Sequence, residues 1–371
     1  MKIKFLNLYK NFNKNKLLLK KFDTLIKKND LIGGSTVKSF ENKFSKYTKS
    51  PYCVSMGNGT DALEIALESL DLKKNSEIIV PANTWISTAE IVIRQNYKLV
   101  LCDIDYDDFG LSITDLKEKI NKNTSAIIVV HLFGKMSKIK SVISLIKNKN
   151  IKLIEDCAQA HGTKLNNKYA GTFGDIGTFS FYPTKNLGAY GDAGCIITKK
   201  RNLSTKCKRI KNHGSLIKYD HKLIGRNSRL DPFQAVVLNE KLKKLNADIR
   251  KKNKLARIYF KKLNKLKKYI KLPEVKKNEV HSFHQFVIIC NKKRNQLQAF
   301  LKKNKIETMI HYPQMLSDMK IFSNTKNVKK IKFAKNLGSR LLSLPISPDH
   351  TVKEIEFISA KIIKFYNLND Q

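Results

Sequence analysis

From about residue 76 the chain alternates short apolar runs with segments of helical period. The runs Glu77-Ile78-Ile79-Val80, Lys98-Leu99-Val100-Leu101-Cys102, Ser125-Ala126-Ile127-Ile128-Val129-Val130, Lys152-Leu153-Ile154 and Gly194-Cys195-Ile196-Ile197-Thr198 are rich in β-branched residues and nearly unbroken by polar ones. That is the pattern of strands buried on both faces of a parallel sheet. Residues 112–121 and 137–148 between them read as helices. The clearest helix follows Gly57-Asn58-Gly59-Thr60, where Leu63, Ala66, Leu67 and Leu70 recur at i, i+3, i+4 and i+7. Thr60 and Asp61 stand at its N-cap and first turn. Strand and helix in alternation predict an α/β domain on a mostly parallel sheet.

The C-terminal part has a different rhythm. A Lys-rich helical stretch over 238–266 leads into a strand around 282–290, a helix over Arg294–Lys303 and a strand near 308–312. The last helix begins at Thr351 with Glu354 three residues on, a capping box, and Val352, Ile355, Ile358, Ile362 and Phe365 form its apolar face. This predicts a large domain over 1–245 and a smaller α+β domain over 246–371, the boundary known to about ten residues. The N-terminal 25 or so residues are expected to pack on the small domain.

Composition narrows the function classes. Hydrophobic residues make up 42% of the 371, enough for packed cores and too many for a disordered chain. No run approaches the roughly 18 apolar residues of a bilayer span. The basic N-terminus, broken by Lys and Asn, lacks the apolar core of a secretory signal. Cysteines 53, 102, 157, 195, 207 and 290 are scattered without a Cys-x-x-Cys pair, which suits reduced thiols in a cytoplasmic protein rather than disulfides or a metal site. The net charge of +41 raises the question of polyanion binding. Only nine of the 72 basic residues are Arg, however, and the lysines are spread along the chain among many Asn. A sequence-reading nucleic-acid protein clusters its charge and favours Arg for bidentate contacts. The excess reads as compositional, of the kind an AT-rich coding sequence imposes, and no specific nucleic-acid partner is expected.

The candidate chemistry lies in Glu155-Asp156-Cys157-Ala158-Gln159 and Phe179-Ser180-Phe181-Tyr182-Pro183-Thr184-Lys185-Asn186-Leu187-Gly188. An acid ends an apolar strand, and a lysine follows 29 residues later in a Gly-containing turn behind an aromatic run. One lysine among 63 is ordinarily solvated surface, and one acid at a strand end is ordinarily a turn residue. Together they are what pyridoxal phosphate chemistry needs. A desolvated amine bonds to the cofactor aldehyde, and a carboxylate keeps the pyridine nitrogen protonated.

These stretches resemble the active site of the DegT/DnrJ/StrS nucleotide-sugar aminotransferases. The resemblance runs from Gly33-Gly34-Ser35 to Leu344-Pro345-Ile346-Ser347-Pro348. It implies an aspartate-aminotransferase-type pyridoxal 5'-phosphate fold, with a seven-stranded, mostly parallel sheet in the large domain. It implies transfer of an amino group, usually from L-glutamate, to a keto group of a nucleotide-linked sugar for polysaccharide or glycoconjugate synthesis. By the resemblance Lys185 and Asp156 are catalytic, and Gln159 contacts the ring's phenolic oxygen where otherwise it would cap backbone. Gly59, Thr60, Asp61 and Ser180 hold the phosphate at a helix N-terminus, although Gly-x-Gly alone could be a tight turn. Trp85, the only tryptophan, stacks on the ring instead of filling a core. Gly225-Arg226-Asn227-Ser228-Arg229-Leu230-Asp231 enters the neighbouring subunit's site in a homodimer, Asn227 touching the phosphate there. Tyr182, His213, Arg229, His311 and Tyr312 are the candidate substrate contacts, and each of the histidines could equally be a packing residue. Some family members carry histidine at the lysine position and dehydrate instead, and a non-catalytic regulatory relative of the same fold is the other alternative.

Overall fold

The computed structural model describes residues 1–9, 17–325 and 331–368. Its large sheet contains β1 (Tyr52–Met56), β2 (Glu77–Pro81), β3 (Lys98–Cys102), β4 (Thr124–Val130) and β5 (Lys152–Asp156). After the two-residue strands β6 (Lys164–Leu165) and β7 (Lys168–Tyr169), it is completed by β8 (Ile176–Ser180) and β9 (Gly194–Thr198). The order is β1-β9-β8-β5-β4-β2-β3. Only β9 runs against the rest, pairing antiparallel with both β8 and β1. The continuous apolar runs are explained by the two cores they serve. Ile78 and Val80 of β2 enter one core and Ile79 the other, and the same split holds for Leu99 and Leu101 against Val100, and for Ile128 and Val130 against Ile127 and Val129. Period-two side chains between two helical layers leave no face for water.

The Gly59–Glu68 helix packs on the first face through Leu63, Ala66 and Leu67, and the Gly34–Thr48 helix on the second through Phe40 and Phe44. Beyond the large sheet, β10 (Ile270–Lys271), β12 (Phe286–Cys290) and β13 (Leu341–Leu344) form an antiparallel sheet in the order β10-β12-β13. The Leu245–Leu263 and Val352–Asn367 helices cover it through Tyr259, Leu263, Ile355 and Ile362. Between β10 and β12, β11 (Glu279–Val280) pairs with β6 and ties the two parts together. Glu279 reinforces the tie, accepting from Lys135 Nζ at 2.6 Å and from the Met136 N–H at 2.9 Å, all buried.

Three expectations are corrected. The helical stretch over 238–266 is two helices, Pro232–Leu242 and Leu245–Leu263. Leu238, Leu245 and Ile249 belong to the sheet core and Leu255, Ala256 and Tyr259 to the small one, so the second helix itself passes from one core to the other. The strand near 308–312 shrinks to one bridge, Met309 with Ser343, because His311 and Tyr312 turn into the cleft. Of the N-terminus, Ile3 joins the small core beside Ile306, but the Leu17–Lys27 helix packs Leu18 and Leu25 on Val236 and Val237 of the large domain. The expected capping box is present, Thr351 Oγ1 accepting from the Glu354 N–H and Glu354 Oε2 from the Thr351 N–H.

Candidate active site

β5 ends at Asp156, β8 ends at Ser180 and the Gly59–Glu68 helix starts opposite them, all at the carboxyl edge of the parallel strands, where open α/β sheets bind ligands. A cleft of about 720 Å³ opens there, lined by both Asp156 and Lys185.

Asp156 is 4% exposed. Its Oδ2 accepts from Thr88 Oγ1 at 2.9 Å and its Oδ1 from the Ala158 N–H at 3.0 Å. Burial pushes its proton affinity up, opposed by those two hydrogen bonds and by Lys185 and His131. A carboxylate so placed calls for a cationic partner. Lys185 follows the turn closed by its N–H to Tyr182 O at 2.8 Å, and burial lowers its pKa to about 8, with Asp156 opposing the drop. Asn186 pins the turn: its Nδ2 donates to Ser282 O at 3.0 Å and its Oδ1 accepts from Lys252 Nζ at 2.7 Å. The far end is held by Gln234 Oε1, which accepts from the Tyr190 N–H at 2.8 Å.

Glycine is required at 59, since a Cβ there would lie 2.5 Å from Ser180 Cβ. The helix start can thus press against β8 and leave its first-turn N–H groups and Ser180 on one surface. Asn58 is the N-cap, its Oδ1 accepting from the Asp61 N–H at 2.8 Å, and Thr60 Oγ1 lies 2.8 Å from Ser87 Oγ. The cap was expected at Thr60; the extended backbone of Asn58 places it two residues earlier. Asp61 lines the cleft beside them; its N–H is taken by Asn58, and its Oδ2 accepts from Ser228 Oγ at 2.6 Å, which anchors the turn.

Gln159 has both amide atoms engaged, Oε1 accepting from the Phe133 N–H at 2.7 Å and Nε2 donating to Tyr312 Oη at 2.9 Å. Trp85 is 58% exposed on the cleft wall, 5.6 Å from the Tyr312 ring and tilted by 46°, so it is not core filler. Tyr182 and His311 line the same cleft, His311 Nδ1 lying 2.9 Å from Ser343 Oγ. Burial lowers the His311 pKa to about 4, so it is neutral at physiological pH.

His213, Asn227 and Arg229 are not brought to this cleft. His213 is exposed and its carbonyl faces His221 Nδ1 at 2.7 Å; exposed Asn227 accepts from Arg229 Nε at 2.8 Å. Their segment lies behind the Gly57–Gly59 turn, Ser228 Oγ accepting from the Gly57 N–H at 3.1 Å. The guanidinium fork that is used there belongs to Arg226, which grips Glu64 at 2.8 Å and Glu68 at 2.6 Å.

The residues present fit pyridoxal phosphate. The glycine cradle would suit an anion and the buried carboxylate a cationic ring nitrogen, and the turn supplies an amine of lowered basicity. Thr88 and Lys252 are unforeseen partners of the reactive stretches, and His284 and Gln285 are unforeseen lining of the cleft wall. Thr88 alone had a local signal, Ser87-Thr88 opening a helix just after a strand.

A family model for the DegT/DnrJ/EryC1/StrS aminotransferases matches residues 13–363. The chain belongs to that family. It is 35% identical to the "Pleiotropic regulatory protein" of Geobacillus stearothermophilus over 94% of both chains. It is likewise 35% identical to the "dTDP-3-amino-3,6-dideoxy-alpha-D-galactopyranose transaminase" of Aneurinibacillus thermoaerophilus over 90% of both. The crystal structure of S. venezuelae DesV superposes with a TM-score of 0.94 at 27% identity, over 98% of each chain.

Proposed function

We propose that this protein transfers an amino group, from L-glutamate as donor, to a keto group on a nucleotide-linked sugar. The chain is a pyridoxal phosphate-dependent aminotransferase. The observation carrying the reading is the convergence in one cleft of an amine with a pKa of about 8 and a buried, oriented carboxylate.

When bound, the cofactor supplies an electron sink for the pair released from the substrate's carbon–hydrogen bond. Gly59, Thr60 and Ser180 would hold its phosphate, Trp85 would flank its ring and Gln159 would face the phenolic oxygen. Asp156 would pair with the ring nitrogen, kept in orientation by Thr88 and Ala158. Lys185 would anchor the cofactor and, once released, its Nζ would take and return the proton at the reacting carbon. A pKa of about 8 suits an amine for both tasks near neutral pH.

Lysine at 185 also argues against the dehydratase alternative. A purely regulatory role, suggested by the name of the Geobacillus relative, would not require Asp156 to be buried and aimed beside Lys185. The 225–231 segment, which rests on its own chain's phosphate turn but stays outside that chain's cleft, supports a homodimer in which it completes the partner's site. The test is direct. The purified protein should be yellow, lose that colour with L-glutamate and regain it with a keto-sugar nucleotide, forming the amino sugar. A colourless protein that binds no pyridoxal phosphate would end the reading.

A further inference from the structure

Two adjacent side chains in the cleft have polar atoms with no partner among the described residues. Gln285 is 5% exposed, and its buried Oε1 accepts nothing. The Nδ1 of His284 is buried and equally unpaired. Both residues line the cleft that contains Lys185. The polar groups around them are committed: Gln159 to Phe133 and Tyr312, Asp156 to Thr88 and Ala158, Asn186 to Ser282 and Lys252, His311 to Ser343. Buried polar atoms are seldom left unpaired, and these two belong to residues that line the substrate space.

The backbone holds these two side chains in place. The Gln285 N–H donates to Phe133 O at 3.3 Å and the Ser282 N–H to Gly134 O at 3.0 Å. Lys252 Nζ donates to Phe283 O at 3.0 Å, and Thr163 Oγ1 to Ser282 Oγ at 2.9 Å. Residues 282–285 are thus tied to the loop that also positions Gln159, and through Lys252 and Asn186 to the Lys185 turn.

The unmet groups define what they take. Burial, together with the positive charge of Lys185 and Lys252, lowers the pKa of His284 far below that of an ordinary histidine, so the ring is neutral, with one donor and one acceptor nitrogen. Gln285 Oε1 requires a donor. A carboxylate only accepts and would leave that oxygen unpaired. A hydroxyl gives and takes a hydrogen bond and suits both residues. The one donor on L-glutamate, its amino group, is the group transferred and is committed to the cofactor; a sugar ring keeps free hydroxyls. We propose that His284 and Gln285 are specificity-determining residues that orient the acceptor sugar through a ring hydroxyl near its reacting carbon and take no part in the amino-donor half-reaction. This rests on the proposed sugar substrate and deepens it.

The two half-reactions separate the roles. Wild type, Gln285→Leu and Gln285→Met, each loaded with pyridoxal phosphate, are followed by visible absorbance. One arm uses L-glutamate, the other a panel of nucleotide-linked 3-amino and 4-amino sugars that includes dTDP-3-amino-3,6-dideoxy-α-D-galactopyranose. Thermal unfolding is measured alongside. The glutamate arm is expected to stay within about twofold of wild type, while the sugar arm slows by about tenfold or more, the scale of one lost hydrogen bond with its partner left bare. The melting temperature should hold or rise, because Gln285 Oε1 has no partner among the described residues to lose. Equal loss in both arms would make Gln285 a structural residue, and an unchanged sugar arm in both variants would remove it from recognition. Either result overturns the inference. A wild type that responds to glutamate and to no sugar of the panel overturns the proposed substrate, and the inference with it; that failure is recognisable because it precedes any substitution.

Discussion

Lys252 Nζ donates to Asn186 Oδ1 across 2.7 Å, so a helix shared by the two cores grips the residue next to Lys185. Lys252 is 6% exposed, and burial lowers its pKa to about 7 despite Asp248 nearby. Between pH 7 and the unfolded value of about 10.4 the unfolded chain holds this proton and the folded one does not, so over that window the group adds stability as pH rises. Below pH 7 the full cost of burying the charge is present. Lys252→Met should remove this pH-dependent component. Denaturant unfolding of both proteins at pH 6.5 and 9 checks it: the stability difference, wild type minus variant, must increase with pH. A constant difference would place the Lys252 pKa outside the window.

Lys185→Ala should abolish the visible band of the loaded protein while pyridoxal phosphate still binds weakly. In wild type, the rate at which the band forms on adding the cofactor should rise with pH through about 8 and then level, because the neutral amine is the nucleophile. A band surviving in the variant would move the attachment to another lysine.

Asp156→Asn should keep the fold and lower turnover by ~10²-fold or more, the scale for a preorganised electrostatic group. Thr88→Val removes the hydroxyl on Asp156 Oδ2, and the effect should be smaller, about three- to tenfold for one neutral donor. Steady-state kcat with unchanged thermal unfolding is the measurement. A larger effect from Thr88 than from Asp156 would reverse the assigned hierarchy.

An Asn227→Ala, Arg229→Ala double variant and a Lys185→Ala variant should each be inactive and partly restore activity when mixed under subunit exchange. One site in each mixed dimer takes its lysine from the first and its loop from the second, as a two-fold interface requires. Confirmed exchange without recovered activity would assign the loop to its own chain's site.

The charge of +41 should give DNA binding that disappears at moderate salt, since dispersed lysine–phosphate contacts are lost as counterions compete. Filter binding at 50 and 200 mM salt decides the point. Sequence-selective binding at 200 mM would return nucleic acid to the list of partners.

What could be read along the chain was what short-range physics controls. Unbroken apolar runs mark strands shielded on both faces, and Ile78, Ile79 and Val80 divide between the two cores as that pattern requires. The Thr351–Glu354 capping box closes within four residues. Asp156 at a strand end and Lys185 in a turn behind aromatics were legible because each position is set by its own element. The partners of these groups were not. Thr88 meets Asp156 across 68 residues, Lys252 meets Asn186 across 66 and Gln159 meets Tyr312 across 153. Which hydroxyl or amine arrives is decided by strand order and by the helix that runs from one core to the other, and no local period carries that information. For the same reason 308–312 reads as a strand while the fold turns His311 and Tyr312 into the cleft. Gln285 reads as a polar residue before an apolar strand, and only the tertiary fold puts it in the wall of the cleft that holds Lys185, its oxygen unpaired among the described residues. Local sequence set the elements and the reactive pair; long-range packing chose the groups that orient them, because those contacts exist only once distant segments have packed around the cleft.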